Sequence, residues 1–230
     1  MDSDFIKGMN KCLDAYNGVI GNVYVYSRHT EMTDKLDELA ETLSQGGGGG
    51  AKVPMIFSTG AQILTLPIYG DENIKIVTKI YPIGNTGDTN VIGNQFNYDG
   101  WVLHFSGRNT LMFRYSPGTP VSFNSNPFTI RNIEMATQDG HLIVDGTVIT
   151  DGHTTSYNHY PVQLFGSNTD GNNYSYVGIG EMYVYKNDTL YMHLIPRIDA
   201  NNHGYFYDEI GDQSYYSDNS VNLFYAEICG

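Results

Sequence analysis

The sequence predicts an all-β sandwich or jelly roll that fills most of the 230 residues, and three observations point to it. From Lys52 onward, short runs of apolar and polar residues follow one another with no helical window between them, as in MIFST, ILTLPIY, IKIVTKIY, WVLHFS and TLMFRYS. Aspartate-glycine pairs punctuate these runs at Asp99-Gly100, Asp139-Gly140, Asp145-Gly146, Asp151-Gly152 and Asp170-Gly171, and such pairs accept the positive φ of two-residue hairpin turns. The closing segment from Gly178 to Asn219 opens as a clear β-hairpin, which a helical chain would not carry. About ten or more strands follow from this spacing.

Taken in order, residues 1–30 hold Phe5, Ile6, Met9, Leu13 and Tyr16 at helical spacing, stopped by Asn17-Gly18, with a short strand from Val23 to Tyr26. So little apolar surface cannot offset its own ordering entropy, so this segment is expected to fold against something else. It is read as an anchoring segment.

Residues 31–45 place Met32, Leu36, Leu39 and Leu43 at intervals of four, three and four, with acidic residues between them. A short α-helix is expected, capped by Thr30 or Thr33, whose seam brings two or three copies together. Five glycines, Gly46 to Gly50, then form a linker, and the β-domain is expected at 51–230.

Within that domain Trp101, Leu103 and Phe105 share one strand face, as do Leu111, Phe113 and Tyr115 on the next, and both sets are expected inside. His141 to Thr150 reads as a hairpin about Asp145-Gly146. In the last quarter Glu181, Tyr183 and Tyr185 alternate with Met182 and Val184. Asn187-Asp188 turns the chain, and Leu190, Met192 and Leu194 alternate with Tyr191, His193 and Ile195. Pro196, lacking an amide proton, is expected to end the second strand, with an irregular segment after it.

The order Tyr183, Tyr185-Lys186-Asn187, Leu190, Leu194-Ile195-Pro196, Tyr207-Asp208 and Tyr215-Tyr216 resembles the closing segment of concanavalin A-like (laminin G-like) domains in tailed-phage virion proteins. The His141–Thr150 hairpin resembles that family's central hairpin, with Asp145 standing for an asparagine. Departures fall at Asp188, where a turn glycine is usual, at His193, where an aspartate is usual, and at Tyr205-Phe206 in place of glycine-leucine. The resemblance is closest over these last 40 or so residues and does not reach the first 50. It implies a concanavalin A-like (laminin G-like) jelly-roll sandwich on a virion surface, whether in a head fibre, a capsid decoration protein or a tail-associated protein.

Charge and chemistry narrow the function. Twelve Lys and Arg against 25 Asp and Glu leave a formal charge of −13, which disfavours nucleic-acid binding. Cys12 and Cys229 stand far apart without metal spacing and are read as free thiols of a reducing compartment. The opening MDSD lacks the features of a signal peptide, and no run is long enough for a membrane span, so cytoplasmic synthesis without membrane insertion is expected.

No paired-carboxylate strand motif of a glucanase and no serine elbow is present, and the seven histidines include no zinc pair, so neither catalysis, a metal nor another cofactor is expected. Carbohydrate binding needs aromatic faces for sugar C–H surfaces and Asn or Asp groups for hydroxyls. Two loops supply that mixture: Tyr157-Asn158-His159-Tyr160, and Asn172-Asn173-Tyr174 with Tyr176. Asn201-Asn202-His203 with Tyr205 is a third group expected beside them. The expected protein is a homo-oligomeric structural virion protein, anchored to capsid or tail, whose domain adheres weakly to host surface glycan. The alternative is a tail-associated lectin that recognises host polysaccharide.

Overall fold

The computed structural model describes residues 50–83, 89–94, 100–106, 110–115, 121–124, 128–137, 141–150, 159–166, 175–219 and 221–225. The chain divides into two units, Met1–Gly46 and Gly47–Gly230, and every described residue belongs to the second. The anchoring residues Phe5, Ile6, Met9, Leu13 and Tyr16 and the helical seam of Met32, Leu36, Leu39 and Leu43 lie outside the described residues.

Seventeen strands are described and no helix is found among them. They are β1 (Ala51–Lys52), β2 (Met55–Phe57), β3 (Leu64–Tyr69), β4 (Ile74–Pro82), β5 (Thr89–Gly93), β6 (Trp101–Phe105), β7 (Thr110–Tyr115) and β8 (Val121–Asn124). Next come β9 (Arg131–Ala136), β10 (His141–Val144), β11 (Thr147–Thr150), β12 (Pro161–Leu164) and β13 (Val177–Lys186). Last are β14 (Thr189–Ile198), β15 (Gly204–Asp208), β16 (Gln213–Tyr215) and β17 (Phe224–Tyr225).

A large sheet runs β11-β10-β9-β4-β13-β14-β15-β16, and a smaller one runs β3-β12-β5-β6-β7-β8. All pairings are antiparallel, and the two inner faces share one apolar core. This is the all-β sandwich that the alternation and turn residues predict, in keeping with the concanavalin A-like fold that the resemblance implies.

Trp101, Leu103 and Phe105 from β6 and Leu111 and Phe113 from β7 fill the core from one side. Ile74, Ile76 and Ile80 from β4, with Met182 and Val184 from β13, meet them from the other. Each such side chain contributes about 1.5–3 kcal/mol on burial, so the sandwich is held mainly by this layer.

Turn chemistry matches the sequence at two hairpins. Asn187 and Asp188 have φ of 51° and 60° between β13 and β14, and Asp145 and Gly146 have φ of 49° and 78° between β10 and β11. Two successive positive φ values are the primed turn that suits the twist of the flanking strands.

Pro196 does not end its strand. It lies inside β14, buried, with Phe206 of β15 opposite it. Its carbonyl accepts from the Val53 amide at 3.0 Å, so the side of the residue that lacks an N–H faces the chain between β1 and β2. There β13 leaves β14 and pairs with β2, while β1 takes over the edge of β14 at Arg197 and Ile198. No strand at that point needs a proton from residue 196, which is why the ladder tolerates proline.

The segment after Pro196, expected to be irregular, contains β15. Gly204, Tyr205, Phe206 and Asp208 are all buried, so this strand faces protein on both sides and shows no alternation.

Candidate functional site

A bulge prepares the outward face of the large sheet. Ile179 pairs with Ile80 but Met182 pairs with Thr78, so β13 carries one extra residue across Gly180-Glu181. The Thr78 hydroxyl donates to the displaced Glu181 carbonyl at 3.1 Å. Inward positions on β13 shift from Val177 and Ile179 to Met182 and Val184, and Glu181, Tyr183 and Tyr185 turn outward together.

On that face His193 of β14 lies opposite Tyr183, their rings 4.4 Å apart and 14° from parallel. Its Nε2 is 2.6 Å from Glu181 Oε1 and its Nδ1 is 2.9 Å from Glu209 Oε2. Tyr183 donates its hydroxyl to Glu181 at 3.1 Å, and Lys52 Nζ stands 3.7 Å away. Partial burial pushes the Glu181 carboxyl up, but the bonds from His193 and Tyr183 and the Lys52 charge outweigh it and hold the group below the usual carboxylate range. Burial and the neighbouring Glu181 push the Tyr183 hydroxyl up.

Asp208 fixes the backbone beneath this cluster. Its buried carboxylate accepts from the amides of His193 at 2.9 Å and Ile210 at 3.1 Å. Glu209 is thereby presented to the ring.

A second cluster sits at the end of the sandwich where β3 turns into β4. Tyr69 closes β3 opposite Pro161, and the Gly70 amide donates to the Tyr160 carbonyl at 3.0 Å. The His159 ring lies parallel on Tyr69 at 4.3 Å, with its Nδ1 2.9 Å from Asp71 Oδ2. At 71% exposure the His159 side chain leaves one ring face to solvent, and Tyr160 is exposed beside it.

Glu72 binds the Tyr69 amide at 3.1 Å and pairs with Lys186, whose Nζ lies 5.3 Å over the Tyr191 ring. Nearby, Lys75 Nζ stands 4.7 Å over Tyr185. Glu72 pushes the Lys186 ammonium pKa up, so this cation persists across neutral pH. The two clusters are thus joined along β13, one at each side of Tyr185.

Among the residues proposed from sequence for glycan binding, His159 and Tyr160 fall in this second cluster. Tyr157, Asn158, Asn172, Asn173 and Tyr174 lie outside the described residues. Tyr176 lies elsewhere: it precedes Val177 at the opposite end of β13 from Lys186, roughly 30 Å away at the usual strand rise. Its ring packs on Gly60, where an added Cβ would come within 2.5 Å of it.

The group Asn201, Asn202 and His203 sits in the β14–β15 turn at that same far end. There Asp199 accepts from the Asn201 amide at 2.8 Å and the His203 amide at 2.9 Å, so the turn is internally satisfied. Tyr205 is buried against Tyr216, their rings 4.8 Å apart. The structure therefore does not bring the third group beside His159 and Tyr160.

Sequence reasoning missed Tyr69 and Asp71, which lie 88 positions or more before His159 and reach it only through the β3–β12 pairing. It noted His193 only as a departure from the family pattern, though a histidine flanked across the hairpin by Glu181 and Tyr183 was a usable signal.

No protein-family model and no curated protein matches this chain. Solved structures do. A Bacteroides ovatus ATCC 8483 protein proposed to bind carbohydrate aligns with a TM-score of 0.53 at 9% identity, covering 78% of this chain and 62% of that one. Trypanosoma rangeli sialidase in complex with sialic acid aligns with a TM-score of 0.49 at 15% identity, covering 62% of this chain. The binding domain of botulinum neurotoxin DC, solved with rat synaptotagmin II, aligns with a TM-score of 0.39 at 13% identity over 75% of this chain and 69% of that one. The chain spans 27% of the sialidase chain and just under two thirds of the Bacteroides one. The class defined by these sheets is the antiparallel β-sandwich.

Proposed function

We propose that this sandwich is a carbohydrate-binding domain whose contact surface is the Tyr69, Asp71, His159 and Tyr160 cluster. The observation that carries this is the open face of His159, backed by Tyr69 and held by Asp71. An aromatic ring fixed at this angle offers a flat surface to sugar C–H groups, and the adjacent carboxylates of Asp71 and Glu72 accept hydroxyl hydrogen bonds. The fold likeness to the Bacteroides ovatus protein is in keeping with this reading.

The finer reading places the domain on a virion, as a head fibre or decoration protein anchored and oligomerised through residues 1–45, with a tail-associated lectin as the alternative. The motif resemblance around Tyr183 to Tyr216 supports it. Many copies displayed together would turn weak contacts into useful adhesion.

The test is a glycan array, including bacterial capsular polysaccharides, probed with the full chain clustered on beads. Binding that is lost in His159→Ala and Tyr160→Ala is the expected result. A blank array from folded protein overturns the carbohydrate reading. Loss of incorporation into particles on deleting residues 1–45 separately tests the virion role, and unchanged incorporation overturns it.

A further inference from the structure

Six of the seven described basic residues lie on strands of one sheet. The strands of the large sheet carry Lys52, Lys75, Lys79, Arg131, Lys186 and Arg197 against three acids, Glu134, Glu181 and the buried Asp208. The strands of the small sheet carry Arg114 alone. Among the described residues the eight other carboxylates all lie between strands, so the strands of the large sheet carry a cationic excess across one face.

That stripe is also aromatic. Lys75 and Lys79 alternate with the inward Ile74, Ile76 and Ile80, so both point outward. Lys75 lies over Tyr185, and Arg197 Cζ lies 4.5 Å over Tyr207. Two acids share this face: Glu181, already engaged by His193 and Lys52, and Glu134, which lies on β9 opposite Val77 between the two lysines. Among the described residues, neither Lys75 nor Lys79 forms an ion pair with a carboxylate. Two ammonium groups four residues apart on one strand are separated by roughly 13 Å, with the Tyr183 and Tyr185 rings on the neighbouring strand.

We infer that the outward face of the large sheet, centred on Lys75, Lys79, Tyr183 and Tyr185, binds acidic polysaccharide carrying sugar carboxylates. This rests on the carbohydrate reading and adds to the His159 cluster a second contact surface with its own ligand class. The ammonium groups take successive carboxylates, the tyrosine hydroxyls bind ring hydroxyls, and the loop-borne acids repel the polymer from the rest of the surface. Contacts of this exposed kind weaken as salt shortens the screening length to about 8 Å at physiological ionic strength.

The experiment measures binding of the full chain to polygalacturonate, hyaluronan and polysialic acid at low and high salt. Fully methyl-esterified polygalacturonate serves as the neutral match, and phosphatidylserine vesicles and duplex DNA serve as non-sugar polyanions. Binding to at least one acidic polymer is expected, about tenfold weaker or worse in the Lys75→Gln, Lys79→Gln double variant and retained in the matching double arginine substitution. Equal binding to the methyl ester overturns the inference but leaves the carbohydrate reading intact where His159→Ala abolishes it. Binding that ignores the lysine substitutions, or is as strong to vesicles or DNA, overturns the inference alone. Silence across the whole panel and the neutral array overturns both.

Discussion

The ring of His193 stacks on Tyr183 at 4.4 Å while its two nitrogens reach Glu181 and Glu209, so one side chain ties β13, β14 and the turn after β15 together. Both nitrogens can donate at once only from the doubly protonated ring. The aromatic contact and the charge contacts therefore act on the same three segments.

Substituting His193→Ala should lower the unfolding free energy by about 1–2 kcal/mol, since two carboxylates lose a partner while remaining partly in contact with water. Urea denaturation measures this directly. An unchanged midpoint would show that the contacts are screened away.

Acid should destabilise the domain early. Glu181, Asp145 and Asp199 all have carboxyl pKa values lowered in the folded state, so their contribution is complete above the ordinary values of 4.5 and 3.8 and is lost as pH falls below them. Burial opposes the shift in each, and hydrogen bonds to His193, to Asn132 and to the backbone at His203 and Asn201 reverse it. Thermal midpoints followed downward from about pH 6 should fall most steeply below about pH 4.5. His193→Ala should flatten the part of that slope due to Glu181.

Two glycines should respond very unequally to alanine. At Gly93 an added Cβ would lie 2.6 Å from the Trp101 carbonyl oxygen and 2.8 Å from Val102 Cα, backbone that cannot move without opening β5 from β6. Gly93→Ala is expected to cost more than about 2 kcal/mol. At Gly180 the nearest atoms stand 3.4 Å away, and Gly180→Ala should change stability by less than about 0.5 kcal/mol. Comparable losses at both sites would contradict the packing described.

Asp145 works twice in its turn. It holds φ of 49° and accepts from the Asn132 amide at 2.9 Å and from Arg131 at 2.8 Å. Asp145→Ala should cost about 1–3 kcal/mol. Asp145→Asn should recover most of it, because asparagine tolerates the left-handed conformation and keeps an acceptor. Calorimetry on the two variants distinguishes them.

Much of this fold was legible in the residues. Alternation located β4, β6, β7, β13 and β14, and Asn187-Asp188 and Asp145-Gly146 marked the hairpins because their side chains accept positive φ. What escaped was set by partners distant in sequence. β1 and β17 have only two residues each and exist through pairing with β14 and β2, and Pro196 stays in its strand because β13 diverges there. The site shows the same division. His159 and Tyr160 stood out locally, but Tyr69 and Asp71 reach them through the β3–β12 pairing, and no local pattern announces that.

The position of β2 has a consequence for how the chain is made. This strand near the start of the domain is flanked by β13 on one side and by β17 on the other. Phe57 must wait for Phe224 to leave the ribosome before its outer edge is covered. At translation rates of about 5–20 residues per second that delay is on the order of ten seconds or more. Until then an apolar strand edge stays open in the nascent chain, so the large sheet is completed only after Phe224 and Tyr225 have emerged.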